Sequence, residues 1–332
     1  MKKYNIAIVG ATGLVGSTFI KVLSEKKLPI GNIYLYASKK SAGKILKVLG
    51  KDLKVMLLSE RNIKNKKIDF ALFSAGGGVS KEFAPIFKKY GCVVIDNSSA
   101  WRMDSSVPLV VPQVNKEDIF KHNGIIANPN CSTIQCMAPL KVLDDLYKIK
   151  SINYTTFQAV SGSGIKGIDD LEKTAKGLSP NFYPYSIYNN VLPHIGSFKD
   201  NGYTEEEIKM INETIKILHL ENVQISATCC RVPILNSHSV EIDVEFENNV
   251  DIMKTKDALS KFESIVLADE VEKNVYPLPT MATGSDNIYV GRIRKDLFKD
   301  NCLHFFTVAD NIRKGAASNA IEIMEELIKK DK

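Results

Sequence analysis

The chain has 332 residues, 44% hydrophobic and 25% charged, with a formal net charge of +6. This length predicts two domains with ample core, and this balance predicts an ordinary globular protein of the cytoplasm. Strand-length apolar runs exclude a transmembrane span, the six cysteines form no disulfide framework and no signal-like leader precedes the first strand, and six scattered arginines (61, 102, 231, 292, 294 and 313) argue against nucleic-acid binding. The lysines read as solvated surface whose mildly positive field suits an anionic substrate.

Residues 4–9, Tyr-Asn-Ile-Ala-Ile-Val, form a buried-type strand. The turn Gly10-Ala11-Thr12-Gly13-Leu14-Val15-Gly16 follows, then a helical pattern through Phe19, Ile20 and Leu23. Further strands are predicted at 33–37, 68–73, 92–96 and 124–127, with helices between several of them. The alternation predicts an α/β fold, with a Rossmann-type dinucleotide-binding domain on a doubly wound parallel sheet over residues 1–130. The stretch Asn128-Pro129-Asn130-Cys131-Ser132-Thr133 reads as a turn ending in a helix cap. The helix behind it is marked by Ile134, Met137, Ala138, Leu140, Val142, Leu143 and Leu146.

Beyond that helix the pattern changes. A long strand is predicted at 149–160, a helix at 165–177 and an irregular excursion at 178–203. Thr204-Glu205-Glu206-Glu207 is a capping box that opens a helix to about residue 218. Residues 225–232 and 239–246 read as antiparallel strands, followed by a helix near 255–264 and strands near 288–294 and 303–309. The expectation is an α+β catalytic and dimerisation domain over 131–311 with a mostly antiparallel sheet. A final amphipathic helix over 312–330, within the segment 312–332, packs back on the first domain.

In the first turn Gly10 suits the tight bend, Gly13 the close approach of a diphosphate and Gly16 the contact of helix with strand. The spacing is GxxGxxG, and a ligand-free βα turn is the competing reading. The second strand runs into Ala37-Ser38-Lys39-Lys40-Ser41, with no acid for the ribose 2′-hydroxyl of NAD. Hydroxyls and lysines there suit the 2′-phosphate of NADP, the expected cofactor. Gly162-Ser163-Gly164-Ile165-Lys166-Gly167 lacks the P-loop pattern, and its place after Gln158 fits backbone close to a ligand.

Cys131 at a helix N-terminus meets free N–H groups and the positive end of the helix dipole, which favour the nucleophilic thiolate. The alternative is a small buried apolar residue. A cysteine nucleophile needs a proton carrier. Of the five histidines, His238 follows Arg231 by seven residues, so a strand–turn–strand brings both toward one pocket; a purely structural histidine fits this spacing equally well. No Cys and His cluster has metal spacing, so no metal is expected.

These motifs resemble the aspartate-β-semialdehyde dehydrogenase family, the phosphorylating NADP enzymes, and its Gram-positive bacterial branch in particular. The resemblance runs from residue 4 to about 325. It rests on the Gly10–Gly16 turn, Asp96-Asn97-Ser98-Ser99-Ala100-Trp101-Arg102-Met103-Asp104, Pro129-Asn130-Cys131-Ser132-Thr133, Gln158-Ala159-Val160-Ser161-Gly162, Glu206-Glu207-Ile208-Lys209, Arg231 to His238, and Ala309-Asp310-Asn311-Ile312-Arg313-Lys314-Gly315-Ala316-Ala317. Trp101 stands where the family often has Phe.

The resemblance implies that Cys131 is the acyl-thioester nucleophile, His238 the general acid/base and Gln158 the group that orients the acyl chain. It implies that Arg231 holds the substrate carboxylate, Glu206 its ammonium, and Asn97, Arg102 and Lys209 phosphate. Gly10, Thr12, Gly13, Leu14, Val15, Gly16, Ser38, Lys39, Lys40, Ser41, Ser74, Ser161, Gly162 and Asn311 are then the NADP-binding set. The implied reaction converts L-4-aspartyl phosphate to aspartate semialdehyde, in lysine, threonine and methionine synthesis, and the implied assembly is a homodimer or dimer of dimers. Two other readings stay open: N-acetyl-γ-glutamyl-phosphate reductase, with the same chemistry, and a non-catalytic NADP-binding regulatory homologue. The context of Cys131 and the Glu206/Lys209 pair fit the aspartyl enzyme better.

Overall fold

The computed structural model describes residues 2–331. The chain divides into two compact units, one running to Pro129 and resuming at Ala316, the other Asn130–Gly315. Among the described residues no helix is long and apolar enough to cross a membrane.

The first unit contains β1 (Tyr4–Val9), β2 (Ile30–Ala37), β3 (Ile45–Val48), β4 (Lys51–Lys54), β5 (Met56–Leu57), β6 (Phe70–Phe73), β7 (Val93–Asp96) and β8 (Ile125–Ala127). Six of these form a parallel sheet in the order β5-β2-β1-β6-β7-β8, while β3 and β4 pair as a separate antiparallel hairpin. Lysines interrupt the apolar pattern of the hairpin, and β5 is only two residues long, so none of the three registers as a strand in the sequence pattern. Strand order reverses between β1 and β6, and β1 ends at the Gly10 turn while β6 ends at Ser74. A doubly wound sheet binds its ligands at such a switch point.

The helix Leu14–Glu25 buries Gly16, Phe19, Val22 and Leu23, the spacing of one helical face. The C-terminal helix Asn319–Lys330 buries Ile321, Ile323, Met324 and Ile328 in the same core as Ile6, Ile8, Leu72 and Ile95. The last fourteen or so residues therefore complete the nucleotide-type unit. The helix expected from 312 begins later, because Arg313–Ser318 forms a wide π-helical turn. Asp310 causes this: its carboxylate accepts from the Ile312 and Arg313 N–H groups, and its carbonyl from Gly315 N–H.

The second unit opens with the helix Cys131–Tyr147 and contains β9 (Ile149–Gln158), β10 (Gln224–Arg231), β11 (His238–Phe246), β12 (Ile265–Leu267), β13 (Ile288–Lys295) and β14 (Cys302–Ala309). Its sheet order is β10-β9-β11-β14-β13-β12. β9–β11, β11–β14 and β13–β14 are antiparallel, whereas β10–β9 and β12–β13 are parallel, so the sheet is mixed. β10 and β11 run in opposite directions as expected but do not pair with each other. β9 lies between them, and residues 232–237 pass over its end, with Val160 and Ser161 N–H donating to the Ile234 and Leu235 carbonyls.

Residues 178–203 contain no regular element, as their Pro, Asn and Gly content predicts, yet they are firmly held. The carboxylate of Asp170, on the helix Ile165–Ala175, accepts from the N–H groups of Asn181, Phe182 and Tyr183, each at 2.8 Å. Burial pushes this carboxyl up, but the three N–H donors outweigh it and hold it below the usual range. The excursion also places Leu192 against Arg231, with two backbone hydrogen bonds of 2.8 and 2.9 Å.

Because the C-terminal helix completes the core of the first unit, truncating one of its buried side chains is costly. Ile321→Ala is expected to lower stability by about 2–5 kcal/mol, read as a shift of the urea midpoint. An unchanged midpoint would show that this helix is not part of that core.

Candidate functional site

Three adjacent strands of the second unit end side by side. Gln158 closes β9, Arg231 closes β10 in direct register with it, and His238 opens β11 on the other side. All three side chains are buried. This row exists because β9 separates the two strands that the sequence suggested as neighbours. Arg231 and His238 meet above it at Gly162. A methyl group added to Gly162 would lie 2.7 Å from Arg231 Nη1 and 3.1 Å from His238 Nε2, so only glycine leaves both side chains in place.

Ala159 joins the same two residues. Its N–H donates to His238 Nδ1 at 3.0 Å, and its carbonyl accepts from Arg231 Nη1 at 2.6 Å. Burial, and then the Arg231 charge, push the imidazole pKa well below its ordinary value, so His238 is neutral. Its Nε2 is buried and has no hydrogen-bond partner among the described residues.

Cys131 is the first residue of its helix and is partly buried. The preceding residue, Asn130, is the N-cap: its Oδ1 accepts from Ser132 N–H at 2.8 Å and Thr133 N–H at 3.4 Å. Asn130 is itself held by two buried carboxylates. Its amide donates to Glu206 Oε1 at 2.8 Å and its backbone N–H to Glu213 Oε2 at 2.6 Å. Gln158 also donates to Glu206 Oε1, at 3.2 Å, and Lys209 lies 3.3 Å from Glu206 Oε2. Burial alone would raise the Glu206 carboxyl. Lys209, Asn130, Arg231 and Gln158 together outweigh it and hold the group below the usual carboxylate range.

The capping box forms as its residues dictate, with Glu207 accepting from Thr204 N–H at 2.7 Å. It starts the helix Glu205–Leu218 at the register that buries Glu206, Glu207 and Glu213. Gly315, at the other end of the unit, packs on the thiol residue: a Cβ there would stand 2.9 Å from Cys131 Cβ. Asn311 exchanges hydrogen bonds with Ser161 and accepts from Ser237 N–H. Asn130, Glu213, Ala159 and Gly315 were not singled out as functional from the sequence. Asn130 carries a signal, since Asn before a helix is a cap; Ala159 acts through its backbone and carries none.

In the first unit the Gly10 turn has the geometry that its glycines require. Gly10 has φ +85°, and a Cβ on it or on Gly16 would come within 2.1 Å of a backbone oxygen. Gly13 has ordinary room, with nothing closer than 3.4 Å. The protein's own packing therefore explains Gly10 and Gly16 but not Gly13, which fits a position kept small for a diphosphate. Gly13 caps the helix Leu14–Glu25 without any side-chain hydrogen bond, as an anion-binding helix start requires. Ser38, Lys39 and Lys40 are exposed beyond β2, and Thr12 Oγ1 donates to Ser41 Oγ at 3.2 Å. Arg102 is buried and donates to the carbonyls of Asn128 and Asn97, both at 2.9 Å, while Asn97 Oδ1 accepts from Asn128.

Sequence spacing showed no metal cluster, but the fold brings Asp243, Cys302 and His304 together on β11 and β14. Their polar atoms serve one another and their neighbours: Cys302 donates to Asp243, and His304 lies between Asp296 and Glu241.

The two units match two family models, "Semialdehyde dehydrogenase, NAD binding domain" over residues 5–122 and "Semialdehyde dehydrogenase, dimerisation domain" over residues 140–314. The chain is 50% identical to aspartate-semialdehyde dehydrogenase of Aquifex aeolicus, covering 98% of each chain, and 46% identical to that of Campylobacter jejuni, covering 98% and 97%. The crystal structure of aspartate semialdehyde dehydrogenase II from Vibrio cholerae complexed with ASA superposes with a TM-score of 0.93, at 40% identity over 99% of each chain. With both domains matched and relatives this similar over the full length, the chain belongs to the aspartate-semialdehyde dehydrogenase family.

Proposed function

We propose that the protein catalyses the reversible, NADPH-dependent reductive dephosphorylation of L-4-aspartyl phosphate to L-aspartate 4-semialdehyde. The observation that carries this is the row Arg231–Gln158–His238 at one end of the second unit's sheet, tied through Glu206 to the cap of the Cys131 helix. A thiol nucleophile, a buried guanidinium for a carboxylate and an imidazole for proton transfer are what this chemistry needs. The names of the relatives favour the aspartyl enzyme over the acetylglutamyl one, and the presence of both thiol and imidazole disfavours a non-catalytic homologue.

Cys131 thiolate attacks the acyl phosphate carbonyl; the S–C bond forms and the C–O bond to phosphate breaks, leaving a thioester. Gln158 orients the acyl group, and His238 is the general acid/base. Arg231 holds the α-carboxylate, and Glu206 attracts the α-ammonium. Asn97, Arg102 and Lys209 are assigned to phosphate. NADP(H), when bound, supplies or accepts the hydride. The Gly10–Gly16 turn would hold its diphosphate and Ser38–Ser41 its 2′-phosphate, with Ser74, Ser161, Gly162 and Asn311 as further contacts. The product feeds the synthesis of lysine, threonine and methionine. The second unit is the proposed dimer-forming surface, in a homodimer or a dimer of dimers.

Phosphate-dependent NADPH formation from aspartate semialdehyde tests the reading directly. Cys131→Ala is expected to abolish it while leaving NADP affinity unchanged, because the glycine turn is a separate element. Turnover retained in that variant would remove the thioester mechanism. For the cofactor, kcat/KM is expected to be higher with NADP than with NAD; the reverse order would show that Ser38–Ser41 do not read a 2′-phosphate.

The two arginines should separate kinetically. Losing either from a desolvated anion costs roughly 2–5 kcal/mol, about 30-fold or more in affinity. Arg102→Leu is expected to raise the KM for phosphate, and Arg231→Leu that for the semialdehyde. Arg231→Lys should stay badly impaired, since lysine lacks the planar fork that can serve the Ala159 carbonyl and a carboxylate together. Michaelis constants for both substrates in all three variants decide the assignment, and the opposite pattern would exchange the roles.

A further inference from the structure

Asp243, Cys302 and His304 share one face of the second unit's sheet. In the ladder of β11 and β14, Asp243 stands opposite His304, and Glu245 opposite Cys302. Residues two apart on a strand point the same way, so the three side chains converge although Asp243 and Cys302 are 59 residues apart in the chain. Their donor atoms, a carboxylate oxygen, a sulfur and a ring nitrogen, all lie within 4.8 Å of one another, and Cys302 Sγ is 3.2 Å from Asp243 Oδ1. Two donors on one tetrahedral zinc-type ion stand roughly 3.5 Å apart, so rotation of these side chains closes the set with both strands in place. The strands are fixed on their outer sides, β11 by β9 and β14 by β13. Oxygen, nitrogen and sulfur together suit a borderline ion such as Zn²⁺, whereas Mg²⁺ and Ca²⁺ take oxygen. Asp243 forms no ion pair among the described residues, while Glu245 beside it holds Lys150 and Lys299, and Glu241 faces Arg294. With the thiol ionised, Asp243 and Cys302 carry the two negative charges that a divalent ion neutralises. A histidine on a metal gives its other ring N–H to a carboxylate. Asp296 Oδ2 is in that position, 3.0 Å from His304 Nε2, and is itself held by the N–H groups of Phe298 and Lys299. Nδ1 has Glu241 at 3.6 Å and is the ring nitrogen left for an ion.

We propose that Asp243, Cys302 and His304 form a structural zinc-type site across β11 and β14, with water or the Glu241 carboxylate in the fourth position and Asp296 as the residue that positions the imidazole. On binding, the S–H proton of Cys302 passes to solvent, S–metal and O–metal bonds replace the hydrogen bond between Cys302 and Asp243, and no electron is transferred. The ion is separate from the thiol chemistry. Asp243 lies five residues along β11 from His238, about 17 Å, and on the opposite face of the strand. Its effect is to tie the middle of the sheet across two strands, and it stabilises the folded unit because the unfolded chain does not bring these residues together.

The test is titration of the full-length protein, freed of metal by dialysis against a chelator, with Co²⁺ as the spectroscopic stand-in for Zn²⁺. Expected is one Co²⁺ per chain with tetrahedral d–d absorption and a thiolate-to-cobalt charge-transfer band, both removed by Zn²⁺. Cys131 is the one cysteine that is not buried, so it is the control. Cys131→Ala should keep the band and Cys302→Ser should lose it. His304→Gln and Asp243→Asn, at partly exposed positions, should weaken binding at least about tenfold, and Asp296→Asn about tenfold through the ring it orients. Zn²⁺ should raise the Tm of the wild type and of Cys131→Ala, but not that of Cys302→Ser. Absence of a thiolate band at about ten equivalents of Co²⁺ overturns the proposal. So does a band lost in Cys131→Ala and kept in Cys302→Ser, or a Tm that Zn²⁺ raises equally in wild type and Cys302→Ser. Binding is read without substrate, so the result stands apart from the proposed activity.

Discussion

The second unit depends on one buried carboxylate. Glu206 is 6% exposed and receives hydrogen bonds from Asn130 and Gln158 and the charge of Lys209. A carboxylate taken out of water is costly unless its acceptor sites are filled, so these partners are bound to their positions as firmly as they bind it. Asn130 caps the Cys131 helix and Gln158 ends β9. One anion therefore sets the thiol's helix and the central strand of the site in a single arrangement. Its neighbours on the same helix extend this: Glu213 accepts from Asn130 N–H, and Glu207 from the N–H groups of Thr204 and Cys229. A helix that packs on the sheet through acids is unusual, and each acid here has a named donor.

Positive charge and neutrality are arranged with the same economy. Arg231 is 4% exposed, with its Nη1 on the Ala159 carbonyl. Its charge favours the ionised Glu206 and disfavours an ionised His238, so one guanidinium pushes two neighbouring groups toward opposite charge states. Environments that drive neighbouring titratable groups apart are a mark of functional sites. The remaining cysteines contrast with Cys131 in placement: Cys136 and Cys229 are fully buried, and burial pushes both thiols far up, where they are inert.

Glycine has a stated reason at few positions, and those positions carry the design. Gly16 lets its helix meet the end of β1, and Gly10 lets that turn lie against Ser74 at the end of β6. Gly162 makes room for Arg231 and His238, and Gly315 for Cys131. In each case a methyl group would collide with backbone or with a functional side chain, so the constraint is steric and local.

Much was determined by the sequence alone. Apolar runs alternating with helical periods specified the parallel sheet, because a strand buried on both faces leaves a run such as Ile6–Val9 whatever surrounds it. The Thr204 capping box and the Cys131 helix start were legible for the same reason, since caps act within three residues. What depends on contacts between distant segments was decided only by the tertiary structure. Strand directions of β10 and β11 could be read, but not that β9 lies between them, because pairing is a choice among partners far apart in the chain. That choice places Gln158 between Arg231 and His238. The order hidden in residues 178–203 comes from Asp170, and the delay of the last helix from Asp310. The hydrogen bond to His238 Nδ1 comes from the N–H of Ala159, a backbone group identical at nearly every position of a chain, which no pattern of side chains can reveal.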